Sequence, residues 1–200
     1  MTEKDYELLL NIETDGTDKY HTSHLYHRYE PTPYDMLNHL FQSYTLSEGD
    51  YVVDYGCGKG RLNFYIQHYF HAHVTGIEMN EIFYNDAIQN KESYFKKHRR
   101  PKNSIEFQCC LAEDYPINPK DNKFYFFNPF SIQIFRKIVE NILISMENYP
   151  RHVELILYYP SDEYQYFLEH RTAFTLKQEI TLPNNNRDYR DRFLIYELTY

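Results

Sequence analysis

The stretch Val52-Val53-Asp54-Tyr55-Gly56-Cys57-Gly58-Lys59-Gly60-Arg61 constrains the fold of this chain more than any other. A short apolar run ends in three glycines at alternate positions, and a helical pattern resumes at residue 59. Such a strand must turn sharply into a helix while its backbone passes close to a ligand. Side chains at Gly56, Gly58 and Gly60 would block that approach or the torsions it needs. The amides opening the next helix can then hold polar or anionic groups. Glu78 ends the following strand about 22 positions after Gly56. That is near the ~20-residue offset at which a carboxylate accepts both hydroxyls of a ribose. A structural strand-to-helix turn with incidental glycines is the competing reading. The strand before the turn, the helix after it and the acid at that distance favour a nucleoside-type ligand.

The rest of the chain repeats the strand–helix alternation. Thr32-Pro33-Tyr34-Asp35 predicts a helix start, with Thr32 as cap, Pro33 at the first helical position and Asp35 completing a capping-box-like pair. Tyr34, Leu37, Leu40, Phe41 and Tyr44 then recur at helical spacing. Strands are predicted at 51–55, 73–78, 105–109, 123–127 and 153–159, with helices at 59–70, 81–98, 131–148 and near 162–170. The clearest helix carries Phe135, Ile138, Val139, Ile142, Leu143 and Met146 as one stripe. Residues 174–182 and 193–199 read as two strands joined by a polar loop, 183–191. This pattern predicts an α/β fold: a doubly wound, mostly parallel seven-stranded sheet with a C-terminal antiparallel hairpin. Residues 1–30 are polar and show no clear period, which suggests an N-terminal extension or lid before a single domain over 31–200.

Two hundred residues can bury a sizeable core. The net charge of −8 argues against non-specific DNA binding through a uniformly basic surface. Acidic residues interrupt the first ten positions, so they do not read as a signal peptide. No stretch approaches the ~18 apolar residues of a membrane span. Cys57, Cys109 and Cys110 form no disulfide framework. A cytoplasmic location without a membrane partner is expected.

A dinucleotide fingerprint would place its third glycine at position 61, where the chain has Arg61. The spacing present, G-x-G-x-G preceded by Asp54, resembles motif I of the class I S-adenosylmethionine-dependent methyltransferases, a Rossmann-like superfamily. Glu78 looks like that superfamily's ribose-binding acid, and the element order over residues 30–200 is similar as well. The resemblance implies S-adenosylmethionine as cofactor and S-adenosylhomocysteine as product. It implies that Gly56, Gly58 and Gly60 line the methionine moiety, with Asp54 ordering the loop and Met79 lying against the adenine. After the third strand the superfamily often has an acid followed by Ala. Ala112 matches, but Leu111 stands in the acid's place, leaving Glu113 or backbone groups to read the adenine.

Asn128-Pro129-Phe130, after the fourth strand, is similar to the Asn-Pro-Pro-aromatic motif of amino-group methyltransferases. That likeness implies catalytic roles: Asn128 and a neighbouring carbonyl accept hydrogen bonds from a target nitrogen, and Phe130 stacks on a planar acceptor. This chain has one proline where the motif has two. The alternative is a strand terminator with Phe130 in the core. The lead-in Arg28-Tyr29-Glu30-Pro31-Thr32-Pro33 and the Asn-Pro-Phe motif together resemble bacterial methyltransferase-like proteins of unassigned acceptor. The activity implied is methyl transfer by in-line displacement, with an amino group favoured. A small molecule, a protein and RNA all stay open as acceptor, and the oligomeric state is not legible. A catalytically inactive S-adenosylmethionine-binding regulatory or interaction module is the alternative function.

Other constellations are weaker. His21, His24 and His27 lack a completing Cys or carboxylate, so no metal site is expected. Cys109-Cys110 are expected to fill the core, and Cys57 to act as a small spacer in the glycine loop. Lys96-Lys97-His98-Arg99-Arg100 reads as a solvated helix cap, with an RNA or acidic-partner patch as the alternative. Tyr29 and Glu30 suit either a lid over the cofactor or a helix lead-in. Arg187, Asp188, Tyr189 and Arg190 lie in the final loop, which should emerge on the ligand side as a substrate contact or a surface hairpin.

Overall fold

The computed structural model describes residues 1–16, 30–99, 104–183 and 187–199. Seven strands alternate with helices along the chain. They run α1 (Glu3–Leu10), α2 (Tyr34–Ser43), β1 (Tyr51–Tyr55), α3 (Arg61–Phe70), β2 (His73–Glu78), α4 (Glu81–Lys97), β3 (Ile105–Cys109), β4 (Lys123–Phe127), α5 (Ile132–Asn148), β5 (Val153–Tyr158), α6 (Asp162–Arg171), β6 (Thr175–Thr181) and β7 (Arg192–Leu198). A 3-10 turn at Ala112–Asp114 follows β3. The strands form one sheet in the order β3-β2-β1-β4-β5-β7-β6. β1 to β5 pair in parallel, and β7 enters antiparallel between β5 and β6. The predicted architecture is thus the observed one.

Both sheet faces are covered, which explains why the central strands read as continuous apolar runs. Alternate residues point to opposite faces. Val52, Tyr125, Ile156 and Tyr158 pack beneath α1, α2, α3 and α4. Val53, Tyr55, Phe124, Phe126, Leu155 and Leu157 pack against α5 and α6. The α5 stripe buries Phe135, Ile138, Val139, Ile142 and Met146 completely, while Leu143 is only partly buried at its border.

The N-terminal residues depart from the sequence reading. Residues Glu3–Leu10 form a helix opened by a capping box, in which Asp5 N–H donates to Thr2 Oγ1 at 3.2 Å and Thr2 N–H to Asp5 Oδ2 at 2.8 Å. Tyr6, Leu10 and Ile12 are buried in the same core as α2 and α3. The Tyr6 ring stacks on Tyr34 at 4.5 Å, so residues 1–16 belong to the body of the fold.

The expected cap of α2 is not made either. Thr32 Oγ1 pairs with the Tyr125 hydroxyl at 2.8 Å, and Asp35 accepts from the amide of Met36. The Tyr34 amide is met instead by Glu3 Oε1 at 2.8 Å. A residue 31 positions away does the work that local chemistry assigned to Thr32.

Candidate functional site at the glycine loop and the ends of the parallel strands

The loop after β1 turns through three left-handed glycines, Gly56 (φ 78°), Gly58 (φ 53°) and Gly60 (φ 86°). It is clamped to the end of β2. The amides of Gly56 and Cys57 both donate to the Ile77 carbonyl, at 2.9 and 3.1 Å. Gly58 N–H donates to Glu78 Oε2 at 2.9 Å, and Asn80 N–H to Oε1 at 2.8 Å. Burial raises the Glu78 carboxyl above its ordinary range, and the amides of Asn80 and Gly58 pull it back. Loop and acid, paired at the sequence level only by distance, are joined directly.

Asp54 lies buried under this loop. Its carboxyl is pushed up to about 8, by burial first and then by the charge of Glu78. With its amide nitrogen facing Asp54, Asn63 donates to Oδ2 at 2.9 Å and accepts Gly76 N–H at 3.1 Å. Asn63 thereby ties the first turn of α3 to β1 and β2. Nothing in a one-dimensional pattern distinguishes it from other polar residues of that helix.

Two glycines also make room for protein atoms. A Cβ at Gly60 would lie 2.7 Å from Phe107 Cζ, and one at Gly76 would lie 2.6 Å from both Cys57 Sγ and Phe107 Cδ1. Gly60 therefore serves close helix–sheet packing as well as the turn. At Gly56 the neighbour is Pro129, whose Cβ would be 3.0 Å from an added Cβ. The turn after β4 rests on the turn after β1.

At the ends of β2 and β3, Glu78 is register-paired with Cys109. The adjoining Met79 and Leu111, just beyond the ends of these two strands, are each 42% exposed. Ala112 is buried with the core on the other sheet face, and the Glu113 carbonyl accepts from Asn141 Nδ2 at 2.9 Å. The cysteine pair does not fill the core as expected. Cys109 is exposed and Cys110 half-buried, because β3 is an edge strand whose end opens beside Met79. Cys57 is buried, as a spacer should be.

The ends of β4 and β5 are adjacent, and both leave the sheet through positive-φ residues, Asn128 (φ 38°) and Tyr159 (φ 51°). Side-chain-bearing residues seldom adopt this conformation, and those that do cluster where ligands bind. Asn128 and Pro129 are half-buried. Phe130 is buried in the core beside α6, so its ring is not on offer as an open stacking face. Its backbone is gripped by the Tyr164 hydroxyl, which accepts Phe130 N–H at 3.3 Å and donates to the Phe130 carbonyl at 2.6 Å.

The loop between β6 and β7 comes up at this same edge. The Tyr159 hydroxyl donates to Asp188, Arg190 Nη2 donates to that hydroxyl at 2.8 Å, and the guanidinium sits 4.6 Å from the Tyr159 ring centre. Tyr189 reaches Asp162 at 2.8 Å, while Arg187 is exposed. The loop thus emerges at the edge where β5 ends.

Arg61 had meaning in the sequence only as the residue that breaks a dinucleotide fingerprint. In the structure it is 4% exposed, and its guanidinium bonds Glu3, Thr14 and Asp15 of the N-terminal segment. In the basic cluster Lys96, Lys97 and Arg99 are exposed at the end of α4, as a solvated cap would be, and two of its residues reach further. Lys97 Nζ and His98 Nε2 donate to the carbonyls of Leu8 and Leu9, at 2.7 and 3.0 Å, and so cap the end of α1. Residues 17–29, with the three histidines, Arg28 and Tyr29, lie outside the described residues, as does Arg100.

Among the described residues His152, Glu154 and Glu197 bring ligand atoms within 4.8 Å of one another. They lie where β5 begins and β7 ends, away from the glycine loop. Glu154 is already committed to Lys123 at 2.8 Å and to Lys177 and Tyr44.

An acid-ended β2 against a glycine turn after β1, on a sheet of this order, is the arrangement of a Rossmann-like α/β domain. Residues 46–141 match the family model of the methyltransferase domain. Over that stretch, just under half of its length, the chain is similar to methyltransferase domains, and its sheet has the class I Rossmann-like order. No curated protein matches it by sequence.

Solved structures share the fold at low identity. An RNA methyltransferase from Salinibacter ruber, in complex with S-adenosyl-L-homocysteine, has a TM-score of 0.56 and 14% identity over 85% of this chain and 93% of its own. A candidate RNA methyltransferase from Pyrococcus horikoshii has a TM-score of 0.59 and 16% identity over 98% of both chains. The tRNA (uracil-54, C5)-methyltransferase of Pyrococcus abyssi, also with S-adenosyl-L-homocysteine, has a TM-score of 0.55 and 13% identity over 86% of this chain but 40% of its own. This chain therefore spans less than half of that protein. Among the described residues no helix is long and apolar enough to cross a membrane.

Proposed function

We propose that the protein moves the methyl group of S-adenosylmethionine to a nitrogen of an acceptor seated beside Asn128. The observation that supports this reading is the close approach of Pro129 to Gly56, which sets the turn after β4 against the loop after β1. The residues present fit the cofactor. Glu78 is a buried carboxylate at the end of β2, suited to two ribose hydroxyls, and Met79 and Leu111 offer apolar surface for a purine. Gly56, Gly58 and Gly60, backed by Asp54, leave a bare main chain for the amino-acid end, and Ala112 and Glu113 close the adenine side. Apolar Leu111 in place of an acid leaves adenine recognition to packing and backbone groups.

Bound S-adenosylmethionine supplies an electrophilic sulfonium methyl, so the chain's task in an in-line displacement is alignment and exclusion of water. Asn128 is suited to that task. Its side-chain oxygen can accept an N–H of the acceptor and turn the nitrogen lone pair toward the cofactor side. Its backbone is held by the neighbouring turn, where Tyr164 locks Phe130. Buried Phe130 supports this rigid mount in place of stacking. Tyr159 and Arg190 stand at the outer edge, where a planar acceptor would enter. The neighbours named as RNA methyltransferases make an RNA base amine the first acceptor to test, met by the local cations Arg187, Arg190 and Arg192 in spite of the net negative charge.

Calorimetric titration with S-adenosylmethionine, S-adenosylhomocysteine and NAD tests the cofactor site; the first two should bind and NAD should not. Labelled-methyl transfer to RNA, protein and small-molecule fractions of a cell extract then tests the acceptor. Asn128→Gly is the informative control, because glycine tolerates φ 38° and the variant should stay folded and bind cofactor yet lose transfer. Tight cofactor binding with no transfer to any fraction would replace the enzyme with a binding module.

A further inference from the structure

We infer that Arg61 is a positioning residue that makes residues 1–15 a working part of the cofactor site. The inference rests on reading the glycine loop as that site. Arg61 is the first residue of α3 and directly follows Gly60, the last left-handed residue of the loop. Its Nε donates to Thr14 Oγ1 at 2.7 Å, Nη1 to Glu3 Oε2 at 2.5 Å, and Nη2 to Asp15 Oδ1 at 2.9 Å and Glu7 Oε1 at 3.4 Å. The guanidinium also lies 4.4 Å from the centre of the Tyr34 ring. One planar cation thus faces three carboxylates and an aromatic, an arrangement a lysine could not satisfy.

A second fastener runs parallel to the first. Asn90 of α4 accepts Glu13 N–H at 2.9 Å and donates to the carbonyls of Glu13 and Lys59, at 3.0 and 3.1 Å. Lys59 Nζ in turn reaches the Asp15 carbonyl at 3.2 Å. Residues 13, 14 and 15 are therefore each bonded to, or bridged to, residues 59–61. Glu3 completes the link by capping the Tyr34 amide with its other oxygen. The loop lacks side chains of its own at Gly56, Gly58 and Gly60, so its shape is set from outside, by β2 on one side and by this segment on the other. Whatever loosens the segment must loosen the loop, and a ligand that stiffens the loop must stiffen the segment by the same coupling free energy.

Hydrogen exchange of peptides within residues 2–15, with and without saturating S-adenosylhomocysteine, tests the coupling alongside calorimetric affinities. Wild-type exchange in that stretch should slow several-fold on saturation. Arg61→Met should raise Kd for S-adenosylhomocysteine about tenfold or more and abolish the slowing, and Arg61→Lys should recover only part of each. The double variant Glu3→Gln, Asp15→Asn leaves Arg61 in place and should shift both readouts the same way, which decides the matter if Arg61→Met fails to fold. Unchanged affinity in Arg61→Met with a released N-terminal segment overturns the inference. So does a wild-type segment whose exchange ignores the ligand. A wild-type chain that binds no S-adenosylhomocysteine overturns the cofactor reading itself, and this inference with it.

Discussion

The Glu78 carboxylate accepts the Gly58 amide at 2.9 Å, so the acid that ends β2 and the middle glycine of the preceding loop form one unit across 20 residues. The second oxygen, on the Asn80 amide, fixes the carboxylate's plane. In the proposed cofactor site, a group held in this way would receive ribose hydroxyls without first losing side-chain freedom, which is where preorganised sites gain affinity.

Glu78→Gln keeps an oxygen for the Gly58 amide but gives up the charge and one acceptor. Its Kd for S-adenosylhomocysteine should rise about tenfold, on the order of 1.4 kcal/mol. Its melting temperature should fall, because the side-chain NH2 that replaces one oxygen leaves the Asn80 amide without an acceptor. Glu78→Ala strips the acceptor from two amides and should lower stability by roughly 1–3 kcal/mol for each one left buried and unmet. Calorimetry and thermal melts of both variants separate the two effects.

Asp54 and Glu154 predict opposite limbs of the pH–stability profile. Burial, then Glu78, puts the folded Asp54 carboxyl at about 8 against 3.8 unfolded, so between these values the folded state holds a proton the unfolded state has released. Stability must fall as pH rises through that window. Asp121, raised by burial to about 6, adds to the fall at its lower end. Asp54→Asn should flatten the decline in urea midpoints between pH 5 and 8. An unchanged slope would show that Asp54 is ionised in the folded protein.

Burial alone would raise the Glu154 carboxyl, but hydrogen bonds from Lys123, Lys177 and Tyr44 outweigh it and hold it at about 2. The stability this contributes is complete above the unfolded value of 4.5 and disappears as pH falls toward 2. Glu154→Gln should remove that acid limb. Lys123→Met, which breaks a buried pair from the other side, should cost roughly 3 kcal/mol at pH 7. Denaturant titrations at several pH values read both.

Gly60→Ala combines a left-handed backbone with a Cβ 2.7 Å from Phe107 Cζ and 3.0 Å from Phe64. A loss of roughly 2 kcal/mol or more is expected. Phe107→Leu in the same chain should relieve the overlap but not the torsion. The double-mutant cycle should then show partial, never full, recovery.

Most of the fold was legible because its signals are local. Each strand of the sheet lies within a residue or two of its predicted span, since fully buried parallel strands write themselves as apolar runs such as 123–127 and 153–158. The helix α1 was not legible. Leu8-Leu9-Leu10 blurs the i, i+4 pair Tyr6 and Leu10 that it buries, and its worth comes from packing on Tyr34 and Tyr65. The role of Glu3 at the start of α2 was hidden for the same reason.

Within the site, spacing alone singled out Gly56, Gly58, Gly60 and Glu78, because a bare turn and a carboxylate one strand later are requirements of the chain's own geometry. Folding in three dimensions decided which glycine yields to Phe107 and which to Pro129, that Phe130 turns inward while Met79 and Leu111 stay open, and that Arg61 gathers three carboxylates. Those outcomes depend on which distant residues share a volume once the sheet is assembled. Close packing and the pairing of buried charge settle that, and neither leaves a period along the chain.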